Sequence, residues 1–204
     1  MDSYFNESLL QKAQQKGLLK IKIHNLRDFA ADKHRKVDDT PYGGGPGMVL
    51  KVEPITRAVQ FVKSKVPGRA GKSEKVRVIL FSLRGKKFDQ KEAHRLAKYD
   101  QLIFICGRYE GVDERIAKYV ADEELSIGDF ILSGGELPAA IVIEAVSRLI
   151  PGLLGKEASL EEKKGSYPVY TKPEAVFLNG KKRRVPKALL SGNHKKIAAW
   201  RANH

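Results

Sequence analysis

The sequence predicts an α/β fold with a parallel sheet, because two short apolar runs flank one amphipathic segment. Residues 76–81 (VRVILF) and 102–106 (LIFIC) are typical of strands buried on both faces. Between them, residues 89–98 have the length and polarity of a crossover helix. The three segments therefore form a predicted βαβ unit. In open α/β sheets ligands bind at the carboxyl ends of the strands, where residues 82–85 and 107–111 follow.

The segments before this unit predict a helix, a strand, a loop and a second helix, in that order. Residues 6–16 read as a short capped helix, and residues 18–23 (LLKIKI) partly alternate like a half-buried strand. Residues 38–48 (DDTPYGGGPGM) hold too many glycines and prolines for a regular element, so we expect a loop. Helical spacing of apolar residues returns over residues 54–66.

A further helix is predicted over residues 137–150, because Pro138 suits a first helical turn and Pro151 and Gly152 supply a stop. This segment is apolar nearly all round, so we expect it to be buried in a core or a subunit interface. Glu144 and Arg148 are four residues apart and share a face. They predict either a structural ion pair or an arginine that holds an anionic ligand group.

Charge is the strongest compositional signal. Lys and Arg number 38 against 24 Asp and Glu in 204 residues, a formal net charge of +14. A field of this sign recruits polyanions, and nucleic acid is the first candidate. The excess is concentrated in residues 63–75 and 181–187. The alternative is a solvated basic surface. A membrane surface is disfavoured, because neither run reads as a basic amphipathic helix.

Other sequence features narrow the class of protein. No window approaches the ~18 to 20 apolar residues that a membrane span needs, and the amino terminus lacks the order of a secretory signal, so we expect a cytoplasmic protein. A length of 204 residues suits one full domain with a small appendage. The single cysteine, Cys106, excludes an internal disulfide, and the five histidines show no metal-ligand spacing.

Glycines cluster between residues 106 and 136, in two turns that alternate with short apolar pieces. Because glycine lets main-chain amides approach a ligand closely, these turns predict a backbone cradle for a flat ligand. Ordinary tight turns are the alternative. Neither a P-loop at residues 71–73 nor a Rossmann fingerprint at Gly107 and Gly111 has the required spacing.

Six blocks of the sequence form a recognisable set: residues 40–48, 106–111 (CGRYEG), 113–115 (DER), 126–139 (SIGDFILSGGELPA), 147–152 (SRLIPG) and 189–194 (LLSGNH). In order and across nearly the whole chain, they resemble the bacterial tRNA (guanine-N1)-methyltransferase family, TrmD. The resemblance implies a SPOUT-type parallel sheet with a deep trefoil knot, an exception to the rule against threaded chains, and a homodimer.

The resemblance also implies a division of the chain. Residues 1–155 would bind the cofactor S-adenosylmethionine, residues 156–172 would form a linker shorter than the family's, and residues 173–204 would begin a tRNA-binding domain. We expect the family's first strand to be missing and the helical C-terminal segment to be truncated. The implied cofactor-binding residues are Ser82, Gly107, Tyr109, Glu110, Gly111, Ile127, Gly128, Asp129, Phe130, Ile131, Leu132, Gly134 and Gly135.

The implied reaction is methyl transfer to N1 of the guanine just 3′ of the tRNA anticodon. That nitrogen must lose its proton, so a carboxylate base is expected, and Arg148 matches the family's catalytic arginine. The family's aspartate base has no counterpart in the linker, where Glu162 is the nearest substitute and Glu161 the second. The implied tRNA contacts are Lys182, Arg183, Arg184, Ser191, Asn193 and His194.

Two further observations keep other functions open. The EEKK stretch around Glu162 also reads as a solvated face, and residues 82–85 (SLRG) replace the family's SPQG. The alternatives are a weakly active or inactive knotted tRNA-binding protein and a SPOUT methyltransferase that acts on another RNA. The resemblance of residues 191–194 and 170–173 (YTKP) to TrmD favours tRNA.

Overall fold

The computed structural model describes residues 1–65, 75–154 and 167–203. The chain divides into two compact units, which are described separately below. Unit 1 is Met1–Leu154 and unit 2 is Gly155–His204.

The centre of unit 1 is a three-stranded parallel sheet in the order β4-β3-β5. The predicted βαβ unit is confirmed: a helix capped by Asp89 connects β3 to its neighbour β4. The structure adds a strand and a helix that hydrophobic patterning did not reveal, β5 and α5. The elements are β3 (Val76–Lys87), α4 (Gln90–Leu96), β4 (Gln101–Ile105), α5 (Glu114–Tyr119), β5 (Glu123–Ser126) and α6 (Glu136–Ser147).

The segment before this sheet is mostly helix and loop. The predicted second helix is confirmed as α3, although it begins at Val52, and the glycine-rich loop is bracketed by the short antiparallel pair β1 and β2. The elements are α1 (Asp2–Phe5), α2 (Ser8–Gln15), a 3₁₀ helix (Leu26–Phe29), β1 (Asp38–Asp39), β2 (Val49–Leu50) and α3 (Val52–Ser64).

The strand predicted over residues 18–23 is wrong. The alternation is real, since Leu19 and Ile21 pack against a buried cluster while Lys20 and Lys22 are exposed. However, the segment joins no sheet among the described residues. Alternation of apolar and polar residues therefore arises here because the segment lies over a core, and it does not indicate pairing with another strand.

Side chains of the sheet fill two cores, one on each face. Val78 and Leu80 belong to the cluster that contains Ile55 and Ile116, from α3 and α5. Ile79, which points to the opposite face, belongs to the cluster of Leu96, Leu125 and Val142, from α4, β5 and α6. Coverage on both faces explains why β3 and β4 read as continuous apolar runs.

A network of ion pairs joins α4 to the sheet. Glu92 is only 5% exposed, and its carboxylate accepts hydrogen bonds from Lys86 at 2.5 Å and from Arg95 at 2.7 Å. Arg95 also donates to Glu123 at 2.6 Å, and Arg77 donates to Glu123 at 2.7 Å. Burial alone would raise the pKa of Glu92, but the two cations outweigh it and hold that pKa below its ordinary value.

Unit 2 contains an antiparallel hairpin followed by two helices. The hairpin pairs β6 (Ala175–Leu178) with β7 (Lys181–Arg184), and the helices are α7 (Lys187–Leu190) and α8 (His194–Ala202). None of the helices in the described ranges is long and apolar enough to cross a membrane.

Candidate functional site

The carboxyl end of β3 leaves the regular ladder at residues 82–85. Leu125 of β5 pairs with both Phe81 and Lys86, so the intervening residues bulge out of the strand. Gly85 lies so close to β5 that an added Cβ would fall 2.6 Å from backbone atoms of Glu124 and Leu125. No larger residue fits this backbone approach without a shift of a strand.

The loop after β4 is anchored to the glycine-rich loop. The N–H of Glu110 donates to the carbonyl of Met48 at 3.1 Å, and the N–H of Leu50 donates to the carbonyl of Gly111 at 3.0 Å. Tyr109 (φ 59°) and Gly111 (φ 123°) both have left-handed backbones. The loop therefore depends on Gly111, since side chains rarely adopt that φ. Cys106 at its start is largely buried, and burial raises the pKa of its thiol to about 12, so this cysteine is not a nucleophile at neutral pH.

The loop after β5 is held by a buried serine. The hydroxyl of Ser126 donates to the carbonyl of Gly128 at 3.1 Å and accepts from its N–H at 3.2 Å. Gly128 has a φ of 154°, and an added Cβ would clash with the ring of Phe130. Beyond this turn Ile131 is 85% exposed. The loop thus presents apolar side chains on a fixed backbone.

The fourth segment, residues 133–135, closes against the β4 loop. The N–H of Gly135 donates to the carbonyl of Gly107 at 2.9 Å, and Gly134 forms an isolated antiparallel bridge with Arg108. A Cβ on Gly135 would lie 2.7 Å from the Cα of Cys106. The two segments therefore touch through their backbones.

One ion pair spans this contact. The guanidinium of Arg108 donates to Glu136 at 2.6 Å, which raises the pKa of Arg108. Sequence patterning carried no signal for this pair, because its members are 28 residues apart. The same holds for Arg84, which donates to Glu114 at 2.7 Å across 30 residues.

The structure thus brings the predicted cofactor residues together at one edge of the sheet. Ser82 lies in the β3 bulge, four candidates follow β4, and the remaining ones follow β5 or precede α6. Since β3, β4 and β5 are adjacent and parallel, their carboxyl ends meet at that edge. Close packing of backbone on backbone, as between Gly135 and Cys106, fixes the main-chain groups of these loops in place.

Arg148 lies at the C-terminal cap of α6 with its side chain exposed. The ion pair with Glu144 does not form: the carboxylate of Glu144 accepts from the hydroxyl of Tyr4 at 3.4 Å instead. Within residues 1–65, 75–154 and 167–203, the guanidinium of Arg148 has no ion-pair or hydrogen-bond partner, which leaves it available to a ligand. Glu161 and Glu162 lie outside the described residues.

In unit 2 the six predicted tRNA contacts fall into two groups. Lys182, Arg183 and Arg184 are exposed on β7. Ser191 and Asn193 hold the turn before α8: Ser191 donates to the carbonyl of Ala188 at 2.7 Å, and Asn193 accepts from the N–H of Lys196 at 3.1 Å. Their side chains thus stabilise local structure, while the neighbouring His194 is exposed. The described part of the chain contains no cluster of three His, Cys, Asp or Glu able to hold a metal.

Comparison with known proteins identifies the class and then the family. The mixed α/β fold of this chain is similar to the crystal structure of tRNA (m1G37) methyltransferase from Aquifex aeolicus. The TM-score is 0.78 at 43% identity, over 100% of this chain and 83% of that one. The family model for tRNA (Guanine-1)-methyltransferase TrmD matches residues 1–204. The chain belongs to this family.

Individual proteins of the same family are similar to this chain over nearly its whole length. A tRNA (guanine-N(1)-)-methyltransferase of Carboxydothermus hydrogenoformans is 49% identical over 201 residues, which cover 96% of this chain and 74% of that protein. One of the same name from Dictyoglomus turgidum is 52% identical over 202 residues, covering 97% of this chain and 77% of that protein.

Proposed function

We propose that this chain is a tRNA methyltransferase that transfers a methyl group from S-adenosylmethionine to N1 of the guanine 3′ to the anticodon. The match to the TrmD family over the whole chain carries the proposal. The glycine-lined edge of the sheet supports it, because adjacent loops there press backbone against backbone, as at Gly135 and Cys106. Action on tRNA would place the protein in the cytoplasm.

The cofactor would occupy the loops at this edge, and we propose that they form the deep trefoil knot of a SPOUT-type domain. Main-chain groups around Gly107, Gly134 and Gly135 would hold the flat adenine, because close packing of these loops against each other fixes the position of their backbones. The exposed apolar side chains of Phe130, Ile131 and Leu132 would cover it. S-adenosylmethionine, when bound, supplies an electrophilic methyl group on a sulfonium.

The remaining chemistry belongs to the protein and the guanine. N1 of guanine carries a proton at neutral pH, so a carboxylate within hydrogen-bond reach must take it as N1 becomes a nucleophile. We assign this role to Glu162, with Glu161 as the second candidate. As the proton leaves, negative charge grows on the guanine oxygen, and the guanidinium of Arg148, which has no partner among the described residues, would stabilise it.

The division of labour between parts of the chain follows. Residues 1–155 would bind the cofactor, residues 156–172 would carry the base, and residues 173–204 would hold tRNA through the basic strand β7. We further propose a homodimer through α6, where Leu137 is 58% and Ile141 47% exposed. Apolar side chains one turn apart on an exposed face are typical of a subunit interface.

Single-turnover methylation of unmodified tRNA, followed by nucleoside analysis, tests the proposal. The parent protein should produce N1-methylguanosine, and Glu162→Gln should lower the rate by at least about a hundredfold, the usual cost of losing a general base. Cofactor and tRNA affinities should stay nearly unchanged. If only Glu161→Gln lowers the rate, the base is Glu161. A parent protein that makes no N1-methylguanosine from tRNA contradicts the proposal as a whole.

A further inference from the structure

The register of the hairpin in unit 2 divides its side chains between two faces, of which only one carries an aromatic ring. Asn179 (φ 52°) and Gly180 (φ 70°) form the two-residue turn that suits twisted antiparallel strands. Residues directly opposite each other share a face. Phe177 pairs with Lys182, so it shares one face with Lys182 and, diagonally, with Arg184.

The ring on this face is exposed and lies beside two cations of β7. Phe177 is 76% exposed, and none of the aromatic or core contacts of the described residues covers it. Lys182 lies directly opposite, at the Cβ separation of ~5 Å typical of such pairs. The nearby acid, Glu174, lies 4.0 Å from Arg184 and has no other ion pair among residues 1–65, 75–154 and 167–203. An exposed phenyl ring beside two cations suits a ligand that is both flat and anionic.

Resting on the proposed function, we propose that Phe177 stacks on an unpaired nucleotide of tRNA while Lys182 and Arg184 contact the adjacent phosphates. Single-stranded RNA is recognised by this combination, because every base has a face that stacks on an aromatic ring and every nucleotide carries one negative charge. Paired RNA hides its base faces within the helix. An acidic protein would satisfy the cations but would leave the flat ring without a matching surface.

Affinity measurements on the full chain separate stacking from charge. Phe177→Leu keeps an apolar side chain but removes the aromatic face, so affinity for tRNA should fall about tenfold, within the range for one stacked base. Phe177→Tyr should bind like the parent. The dependence of affinity on salt should keep its slope in both variants, because neither removes a cation. Leu178→Ala, on the opposite face, is the matched control and should leave affinity unchanged.

Fluorescence gives a direct readout. In Phe177→Trp, stacking of a base on the new indole should quench its emission when a short single-stranded oligonucleotide binds. The parent, which contains only Trp200, supplies the background. A fully paired RNA hairpin should quench Phe177→Trp much less than the single strand does.

The outcomes separate this proposal from the proposed function. Equal affinities of parent and Phe177→Leu for tRNA, with matching thermal unfolding, overturn the stacking role even if methylation proceeds normally, and a protein partner then becomes the better occupant. Unquenched Phe177→Trp on bound single strands overturns it as well. If the oligonucleotide shows stacking but tRNA is not methylated, the proposed function fails and the stacking site stands.

Discussion

The loops at the sheet edge of unit 1 and the hairpin of unit 2 are built in opposite ways. In unit 1, Gly85 and Gly135 approach other backbones so closely that a Cβ would lie 2.6 to 2.7 Å from main-chain atoms. In unit 2, all four residues of β7 project their side chains into solvent. The first surface depends on where the backbone lies, and the second on how much charge it carries. We therefore expect a single added side-chain atom to impair binding at the loops of unit 1. Binding at strand β7 of unit 2 should respond only to changes in its total charge.

The largest effect is expected from the glycines. Gly134→Val would displace the Glu136 carboxylate and crowd Arg108, so binding of S-adenosylmethionine should disappear in calorimetry while the protein stays folded. Gly135→Ala must instead move the Cys106 backbone, and it should lower the free energy of unfolding by about 2 kcal/mol, as overpacking does. If Gly134→Val folds and binds the cofactor as tightly as the parent, these loops do not form the cofactor-binding site.

A third kind of surface, the apolar face of α6, sharpens the comparison. Replacing both Leu137 and Ile141 by serine should convert a dimer into a monomer, because it removes exposed apolar area that we assign to the interface. Light scattering at micromolar concentration measures the mass. Serine at both Val176 and Leu178, the exposed apolar residues on the hairpin face opposite Phe177, is the control and should leave the mass unchanged. A parent that is already monomeric would contradict the assignment.

The salt dependence of tRNA binding should change in proportion to the number of cations removed from the hairpin. Replacing Lys182, Arg183 and Arg184 together by glutamine should flatten the log–log dependence of tRNA affinity on salt by up to ~3 units, because each cation that neutralises a phosphate contributes about one unit to the slope. The control replaces Lys12, Lys16 and Lys20 of unit 1 by glutamine, which changes net charge equally. Equal slopes in the two triple variants would show that β7 acts only through overall charge.

The smallest effects, on the free energy of unfolding, are expected from one paired carboxylate in each unit. Glu92→Gln should cost about 2 kcal/mol of unfolding free energy, since it weakens hydrogen bonds of a buried carboxylate to two cations. Glu174→Gln, which weakens the exposed pair with Arg184, should cost less than ~0.5 kcal/mol. Equal costs would show that burial of Glu92 does not matter.

The ion pairs of Glu92 also predict how the stability of the protein depends on pH. The pKa of Glu92 is lower in the folded protein than its ordinary value of 4.5, so the unfolded chain binds the proton more readily. The contribution of the ionised Glu92 carboxylate to the free energy of unfolding is therefore complete above pH 4.5, and it is lost as pH falls through the lower folded-state pKa. Denaturant titrations should show a smaller acid loss in Glu92→Gln than in the parent.

How much could be predicted from sequence depended on the source of the signal. Residues 76–81 and 102–106 were recognisable as strands because both of their faces meet apolar cores. The strand β5 (EELS) was not, because Glu123 lies in the sheet by pairing with Arg77 and Arg95, which are distant in sequence. Hydrophobic periodicity carries no information about such partners.

The site followed the same division. The glycines at 107, 134 and 135 were found from local composition, and the family resemblance assigned them a ligand. The bulge at residues 82–85 could not be foreseen, because it is set by the approach of Gly85 to β5, which exists only in the folded sheet. The aromatic face of the hairpin was missed because Phe177 looks like an ordinary strand residue until its register and exposure are known.

The position of β3 at the centre of the sheet has a consequence for synthesis. Both of its neighbours come later in the chain, and the backbone of Val78 bonds to Asp122, which is 44 residues further on. At typical ribosomal rates, that distance corresponds to roughly 2 to 9 s, whereas a hairpin such as β6–β7 closes in ~1 to 10 μs. During those seconds the nascent β3 carries an unpaired apolar edge, which is the kind of segment that aggregates. Slower translation of residues 88–126 would lengthen this exposure, and faster translation would shorten it.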